Sequence, residues 1–292
     1  MQVTKLYLLA FLVFASTVFA DDYDDYIQAL KTTAGFSSWP GKGAALKRGL
    51  NFQPSGYSQL TGFATASDLT DTAELTFGIG RALVLSNGDR QLTIQIGVAF
   101  GSTDNAQELL LRTLAASQSD FSSSWQRGDP GLTVGDLNFV RMGGTASNNW
   151  GGAVAFVRNN VMCLINDENP SQPFTALASL AAAIDGNIQA QSNLTSVQFN
   201  ALRPQVLQFS PASSTIASGG STRLNISIVD PASDPFTIEV STDGSLNVTP
   251  GDVPLNVTVQ ATGITGLIPI NLLVVDASLL FSTAQTTVQV TP

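Results

Sequence analysis

The chain has 292 residues, with 13 Lys plus Arg against 22 Asp plus Glu, a formal charge of -9, no histidine and one cysteine. That acidity argues against a nucleic-acid partner, the missing histidine removes Ser-His-Asp and Cys-His hydrolysis and His-ligated metal catalysis, and one cysteine allows no internal disulfide. Charged residues are only 12% of the chain, so solubility rests on Ser, Thr, Asn and Gln, and the length points to two domains.

Residues 1–20, MQVTKLYLLAFLVFASTVFA, start with a cation at Lys5, continue as an apolar run and end in Val18-Phe19-Ala20. This is the pattern of a secretory signal peptide with cleavage after Ala20. The run is about 15 residues, short of the roughly 20 that cross a bilayer, so no transmembrane anchor is expected. The mature chain is then expected to begin at Asp21, outside the cytoplasm, as an extracellular or periplasmic protein free or associated with the cell surface.

Residues 21–186 read as an α+β domain. DDYDDYIQALKTTAG places Tyr23, Tyr26, Ile27 and Leu30 on one helical face, with Asp22, Asp24 and Asp25 at the positive end of the dipole. RALVLSNGDRQLTIQIGVAF carries Asn87-Gly88 between apolar runs, a hairpin signal. NAQELLLRTLAAS follows as a helix capped by Asp104, with Ala106, Leu109, Leu110 and Leu114 inward. GDLNFVR, Gly135 to Arg141, adds a strand. AVAFVR, Asn159-Asn160 and VMCLIN form a second hairpin. A second helix, SQPFTALASLAAAIDG, then has Pro173 in its first turn, Phe174, Leu177, Ala178, Ala181 and Ile184 inward, and Gly186 as its stop. Hairpin-helix therefore occurs twice, which predicts an antiparallel sheet with helices on one face; the two halves share a pattern, not an identity.

Chemistry-bearing residues are few. Alternation sets Val161, Cys163 and Ile165 on one strand face, with no cation beside the thiol and no histidine to act as its base, so Cys163 reads as core. Asp68, Asp71 and Glu74 recur at three-residue intervals, and Asp129 and Asp136 flank Pro130-Gly131; paired carboxylates are the chemistry of a glycoside hydrolase, although such spacings arise by chance in an acidic chain. WPGKG lacks the phosphate-loop spacing, and Gly78-Ile79-Gly80 lacks the third glycine of a dinucleotide fingerprint. Neither a cofactor nor a metal site is therefore assigned. Trp39, Phe52, Tyr57, Trp125 and Trp150 could stack on sugars, with packing the role expected for most of them, and the loops around Trp39 and Trp150 are the first places to look for binding.

Residues 187–204 read as a polar linker. Beyond it, residues 205–292 hold seven short alternating runs over about 90 residues, the spacing of an immunoglobulin-like sandwich: QVLQFSP, TRLNISIVD, FTIEVST, SLNVTP, PLNVTVQATG, LIPINLLVVD and STAQTTVQV. Leu224, Ile226 and Ile228 alternate with polar neighbours, as do Phe236, Ile238 and Val240, and Leu255, Val257 and Val259. The last stretch, INLLVVDASLLFSTAQTTVQV, resembles the final hairpin of bacterial immunoglobulin-like and cadherin-like surface modules, in which a strand ending in Val-Asp precedes a Ser/Thr-rich return strand. The resemblance implies a fold for this domain and no activity. Paired cysteines, a core tryptophan and full acidic calcium motifs are lacking, so Asp230, Asp234 and Asp276 are not assigned to calcium.

Sequons at Asn193, Asn225, Asn247 and Asn256 lie in the linker and the second domain, the last three on outward positions of their strands, open to glycosylation if the host performs it. The favoured reading is a secreted, non-catalytic binding, adhesion or envelope-structural protein whose partner is an extracellular or cell-surface protein or glycan. The alternatives are a secreted carboxylate-dependent hydrolase with an accessory sandwich, and an extracellular inhibitor or sensor domain. Fold alone does not choose among them.

Overall fold

The structure is a computed structural model that describes residues 25, 27–32, 45–71, 78–88, 90–100, 102–116, 125–128, 132–142, 150–167, 175–251 and 255–292. The expected signal segment 1–20 and Tyr23, Tyr26, Pro173 and Phe174 lie outside these residues.

The chain is predominantly β. Strands β1 (Ala64–Asp71), β2 (Gly78–Asn87), β3 (Arg90–Ala99), β4 (Trp125–Arg127), β5 (Leu137–Met142), β6 (Trp150–Arg158) and β7 (Val161–Asp167) form one antiparallel sheet in the order β1-β2-β3-β7-β6-β5-β4. Both predicted hairpins are present: β2 and β3 close at the Asn87↔Arg90 pair with Gly88 at φ 60°, and β6 and β7 turn at Asn159-Asn160 with Asn159 at φ 54°. Both turns need positive φ, which Gly and Asn supply.

Helical residues 27–32 (α1), α2 (Thr103–Ala116), α3 (Leu177–Gln189) and α4 (Ser196–Ala201) accompany the sheets. The predicted arrangement of helices on one face is corrected. Ala106, Leu109 and Leu110 of α2 pack with Ala153, Ala155, Met162 and Leu164, whereas Leu180, Ala181 and Ile184 of α3 pack with Val154, Phe156, Cys163 and Ile165, on the opposite face. The cause is visible in Val161 to Ile165, buried without a break: a strand apolar on both faces needs cover on both. A two-fold axis normal to the sheet, the operation that relates neighbouring antiparallel strands such as β3 and β7, leaves each helix on its own face and so cannot bring α2 onto the face of α3. The two hairpin-helix units are therefore not copies related by that rotation.

Local chemistry fixes each helix. Ser102, not Asp104, caps α2, its hydroxyl accepting from Asn105 N at 3.2 Å. Gly97 clears the way for this helix, since a Cβ there would lie 2.7 Å from Leu109 Cδ2 and 2.9 Å from Met162 Cε. The predicted stop at Gly186 is also corrected. Helix α3 runs on to Gln189 because Ile188 is fully buried and Lys47 Nζ donates to the carbonyls of Gln189 (3.1 Å) and Gln191 (2.5 Å) at its end. Arg158 of β6 clamps the same helix through a bidentate pair with buried Asp185, both bonds at 2.8 Å.

The second half is built from β8 (Gln205–Pro211), β9 (Thr215–Ala217), β10 (Ser221–Val229), β11 (Phe236–Thr242), β12 (Leu246–Pro250), β13 (Val257–Ala261), β14 (Gly266–Asp276) and β15 (Phe281–Thr291). They form two four-stranded sheets, β12-β13-β10-β8 and β11-β14-β15-β9, with β9 parallel to β15 and the other pairs antiparallel. Leu224, Val257 and Val259 of one sheet share a core with Ile268, Ile270, Val288 and Val290 of the other, against which Ile226, Ile238 and Val240 also pack. All seven expected runs are strands; β9 was missed because three residues cannot display a period.

The stretch expected as a linker, 187–204, is folded. It contains the last turn of α3, a two-way bridge between Leu46 and Leu194, and α4. Thr195 and Gln198 form a capping box at the start of α4, and Phe199 is fully buried.

Cys163 is 0% exposed, and burial, followed by the nearby charge of Asp185, pushes its thiol far above the ordinary range. Cys163→Ala is expected to cost roughly 1–2 kcal/mol through lost packing, and the native thiol to resist a small electrophile until the protein unfolds. Stoichiometric labelling of folded protein within seconds would contradict this placement.

Candidate functional site

The two halves of the chain meet at a joint. Three segments meet there: residues 45–50, the end of β3 with α4 behind it, and the turn between β14 and β15. The first is placed by Asn160, fully buried in the β6–β7 turn, which accepts from Lys47 N (2.6 Å) and donates to the carbonyls of Lys47 (3.0 Å) and Ala99 (3.2 Å). Arg48 then bonds to Asp234 and donates to Ser278 Oγ at 3.1 Å, and Ser278 Oγ donates to Asp234 at 2.9 Å. Gly49 lies so close to the β14–β15 turn that a Cβ on it would fall 1.9 Å from the Ser278 carbonyl oxygen.

Phe100, at the end of β3, meets Phe281 edge-on with centroids 4.3 Å apart, and Phe199 lies 6.4 Å away. The Arg203 guanidinium rests over both Phe100 (5.5 Å) and Phe281 (5.1 Å), while its Nε donates to the Phe281 carbonyl at 2.5 Å. Val275, Leu279, Leu280 and Phe281 belong to the same apolar core as Cys163 and α3. The halves thus share a core, closed by cation–π and hydrogen-bond contacts.

Two shallow solvent-open grooves flank this joint. One, of about 450 Å³, is lined by Asn200, Arg203, Gln205, Ser282 and Thr283 among others. The other, of about 470 Å³, is lined by Arg48, Asn51, Gln191, Ser192 and Ser278 among others. Bonded to Ser278 of the second groove, Asp276 ends β14 with 3% of its surface exposed. Its Oδ1 accepts from Ser278 N and Leu280 N, both at 2.8 Å, while its Oδ2 and that of Asp230 are buried without a hydrogen bond. Burial, reinforced by the charge of Asp230, raises the Asp276 pKa to about 6 against the two backbone bonds and Arg48, which lower it.

The residues singled out from the sequence fare differently. Trp39 lies outside the described residues; Trp150 opens β6 opposite Met142, and its side chain is likewise outside them. Phe52 and Tyr57 stack on each other at 4.7 Å inside the core, and Trp125 is buried. Asp68 on edge strand β1 pairs bidentately with Arg81 at 2.8 and 2.6 Å, and the bonds from this arginine hold its carboxyl below the ordinary range. Asp136, before β5 toward the other edge, is held by Arg158 and Asn159 N, each at 2.7 Å. The structure does not bring these two carboxylates together. Glu74 and Asp129 lie outside the described residues, as does the side chain of Asp71. No group of three or more Cys, Asp or Glu among the described residues is arranged to hold a metal ion, and none of the described helices is long and apolar enough to cross a membrane.

Asn193, Asn225 and Asn247 are exposed. Asn256 is only half-exposed: its side chain lies against Gly251, whose Cβ would come within 2.7 Å of it. Reading the joint from sequence required knowing that Arg203 and Phe281 meet, and no periodicity reports on a contact 78 residues apart.

No protein-family model matches the chain, and no curated protein matches it. Among solved structures it is similar to the extracellular domain of a proposed one-component system, BT4673 from B. thetaiotaomicron, at 8% identity and a TM-score of 0.20. The alignment covers 78% of this chain and 31% of that one, so the present chain spans about a third of that chain's length. A likeness at that level carries no argument about fold or function.

Asp276 yields a pH prediction. In the folded chain it keeps its proton up to about pH 6, whereas an unfolded aspartate releases it near 4. The native state therefore binds more protons between those values, and stability from this group falls as pH rises through that window. Asp276→Asn is expected to melt higher than wild type above about pH 7 and to lose the slope between about pH 4 and 6. A variant with the wild-type slope would contradict the assignment.

Proposed function

We propose that this is a secreted, non-catalytic binding, adhesion or envelope-structural protein, in which an immunoglobulin-like sandwich is fused to a helix-covered antiparallel sheet and the partner is an extracellular or cell-surface macromolecule. The sandwich reading is supported by strand order: β8, β10, β13 and β12 correspond to A, B, E and D, and β11, β14 and β15 to C, F and G. The division at 187–204 is a reading of strand membership, since no strand is shared by the two sets of sheets.

The observation that carries binding over hydrolysis is the fate of the described candidate carboxylates. A glycoside hydrolase needs two carboxyl groups converging across one sugar bond. Here Asp68 and Asp136 are each neutralised by an arginine and sit toward opposite edges of the sheet. Their architectural role is to hold strands and turns. Recognition is assigned to polar surface with a few anchors: the grooves at the joint, together with the loops around Trp39 and Trp150. The exposed sequons Asn193, Asn225 and Asn247 offer attachment points for glycans in a glycosylating host.

The test is to screen the chain against cell-surface glycans, envelope fractions and glycosidase substrates in one panel. Saturable binding without turnover is expected. Turnover abolished by replacing one carboxylate would overturn the reading in favour of a hydrolase.

A further inference from the structure

We infer that the groove beside Arg203 is a carboxylate-binding site that takes an acidic sugar of the uronic acid class. The inference deepens the binding reading above by naming a ligand class for one of its surfaces.

Arginine usage in the molecule motivates it. Arg48, Arg81, Arg90, Arg112 and Arg158 are each partly buried and each faces a carboxylate. Arg203 is partly buried too, yet no carboxylate of the described residues pairs with it. Its Nε is committed to the Phe281 carbonyl and its flat face to two phenylalanine rings. The terminal nitrogens make no hydrogen bond to the described residues and are not buried. Arg203 lines the groove with its Nε and flat face already engaged, which leaves its two terminal nitrogens as the donors that a carboxylate accepts bidentately. Burial lowers the Arg203 pKa from its ordinary value with no opposing acid to offset it, so an incoming anion would restore a charge balance that Arg48, Arg81, Arg90, Arg112 and Arg158 already have.

The surroundings narrow the anion. Arg203 is the single cation among the lining residues, in a chain of net charge -9, which suits one carboxylate and disfavours a polyphosphate. Asn200 and Gln205 contribute amides and Ser282 and Thr283 hydroxyls around it, groups that exchange hydrogen bonds with ring hydroxyls. A groove of about 450 Å³ lies within the range of small-molecule sites.

The experiment titrates the purified chain with methyl glucuronide, methyl glucoside and N-acetyl-dialanine, following binding by calorimetry and ligand-observed NMR. Methyl glucuronide is expected to bind saturably, and the glucoside, which lacks only the carboxylate, at least about tenfold more weakly. Arg203→Gln should lose the same factor. Because Arg203 also packs the joint, the second variant is Asn200→Asp, which sets a fixed carboxylate in the groove and leaves the stacked arginine in place. It should weaken glucuronide binding at least about tenfold with an unchanged melting temperature. Equal binding of glucuronide and glucoside, or unchanged affinity in Asn200→Asp, would overturn the anion site. Peptide binding equal to that of the glucuronide would overturn the sugar assignment. A macromolecular partner indifferent to Asn200→Asp removes this site alone and leaves the binding reading intact, whereas glucuronide capture with no macromolecular partner does the reverse.

Discussion

The contact of Arg203 with Phe100 and Phe281 is the constraint on which the arrangement of the two halves depends. It joins the end of β3, the exit from α4 and the first residue of β15 in one stack. An aromatic edge-to-face pair with a cation over both rings is worth more when desolvated than on an open surface. The stack also carries the apolar core of the first sheet across to Leu279, Leu280 and Phe281.

Polar staples extend the same logic through a chain that has few charges to spend. Asn160 fixes residues 47 and 99, Lys47 closes the end of α3, and Arg158 ties that helix to β6. Each is a buried or half-buried group with its bonding capacity largely used, which is the condition under which buried polarity specifies one arrangement. Arg48 does this between the halves: it brings a positive charge to a corner where Asp230, Asp234 and Asp276 gather. The protein itself supplies a counter-charge there, and Asp276 keeps a raised pKa because that counter-charge is only partial compensation.

Much of this was legible in the sequence. Alternation located the seven main strands of the sandwich, turn chemistry located both hairpins, and the inward stripe Ala106, Leu109, Leu110 and Leu114 is buried as expected. The errors share a cause, which is that local pattern says nothing of what approaches from elsewhere. The unbroken apolar runs at Ala153 to Val157 and Val161 to Ile165 were the signs that both sheet faces are covered. Gly186 read as a stop because the lysine that closes the helix three residues further on, Lys47, is distant in sequence. The polar composition of 187–204 read as a linker, yet a capping box and one buried phenylalanine suffice to fold it. The candidate groove was not legible at all, since its lining comes from α4, β8 and β15.

The joint makes the halves one energetic unit. Trp39, Trp125 and Trp150 all precede residue 205, so tryptophan fluorescence reports unfolding of the first half alone. The direct measurement is urea unfolding of wild type and Phe281→Ala, followed by tryptophan fluorescence and by far-ultraviolet circular dichroism. Phe281 lies in the second half, and its truncation removes a core aromatic, a change of about 3–5 kcal/mol. Coincident transitions are expected in wild type, with a fluorescence midpoint that moves down in the variant. A fluorescence transition unmoved by Phe281→Ala, and separate from the dichroism transition, would contradict this coupling.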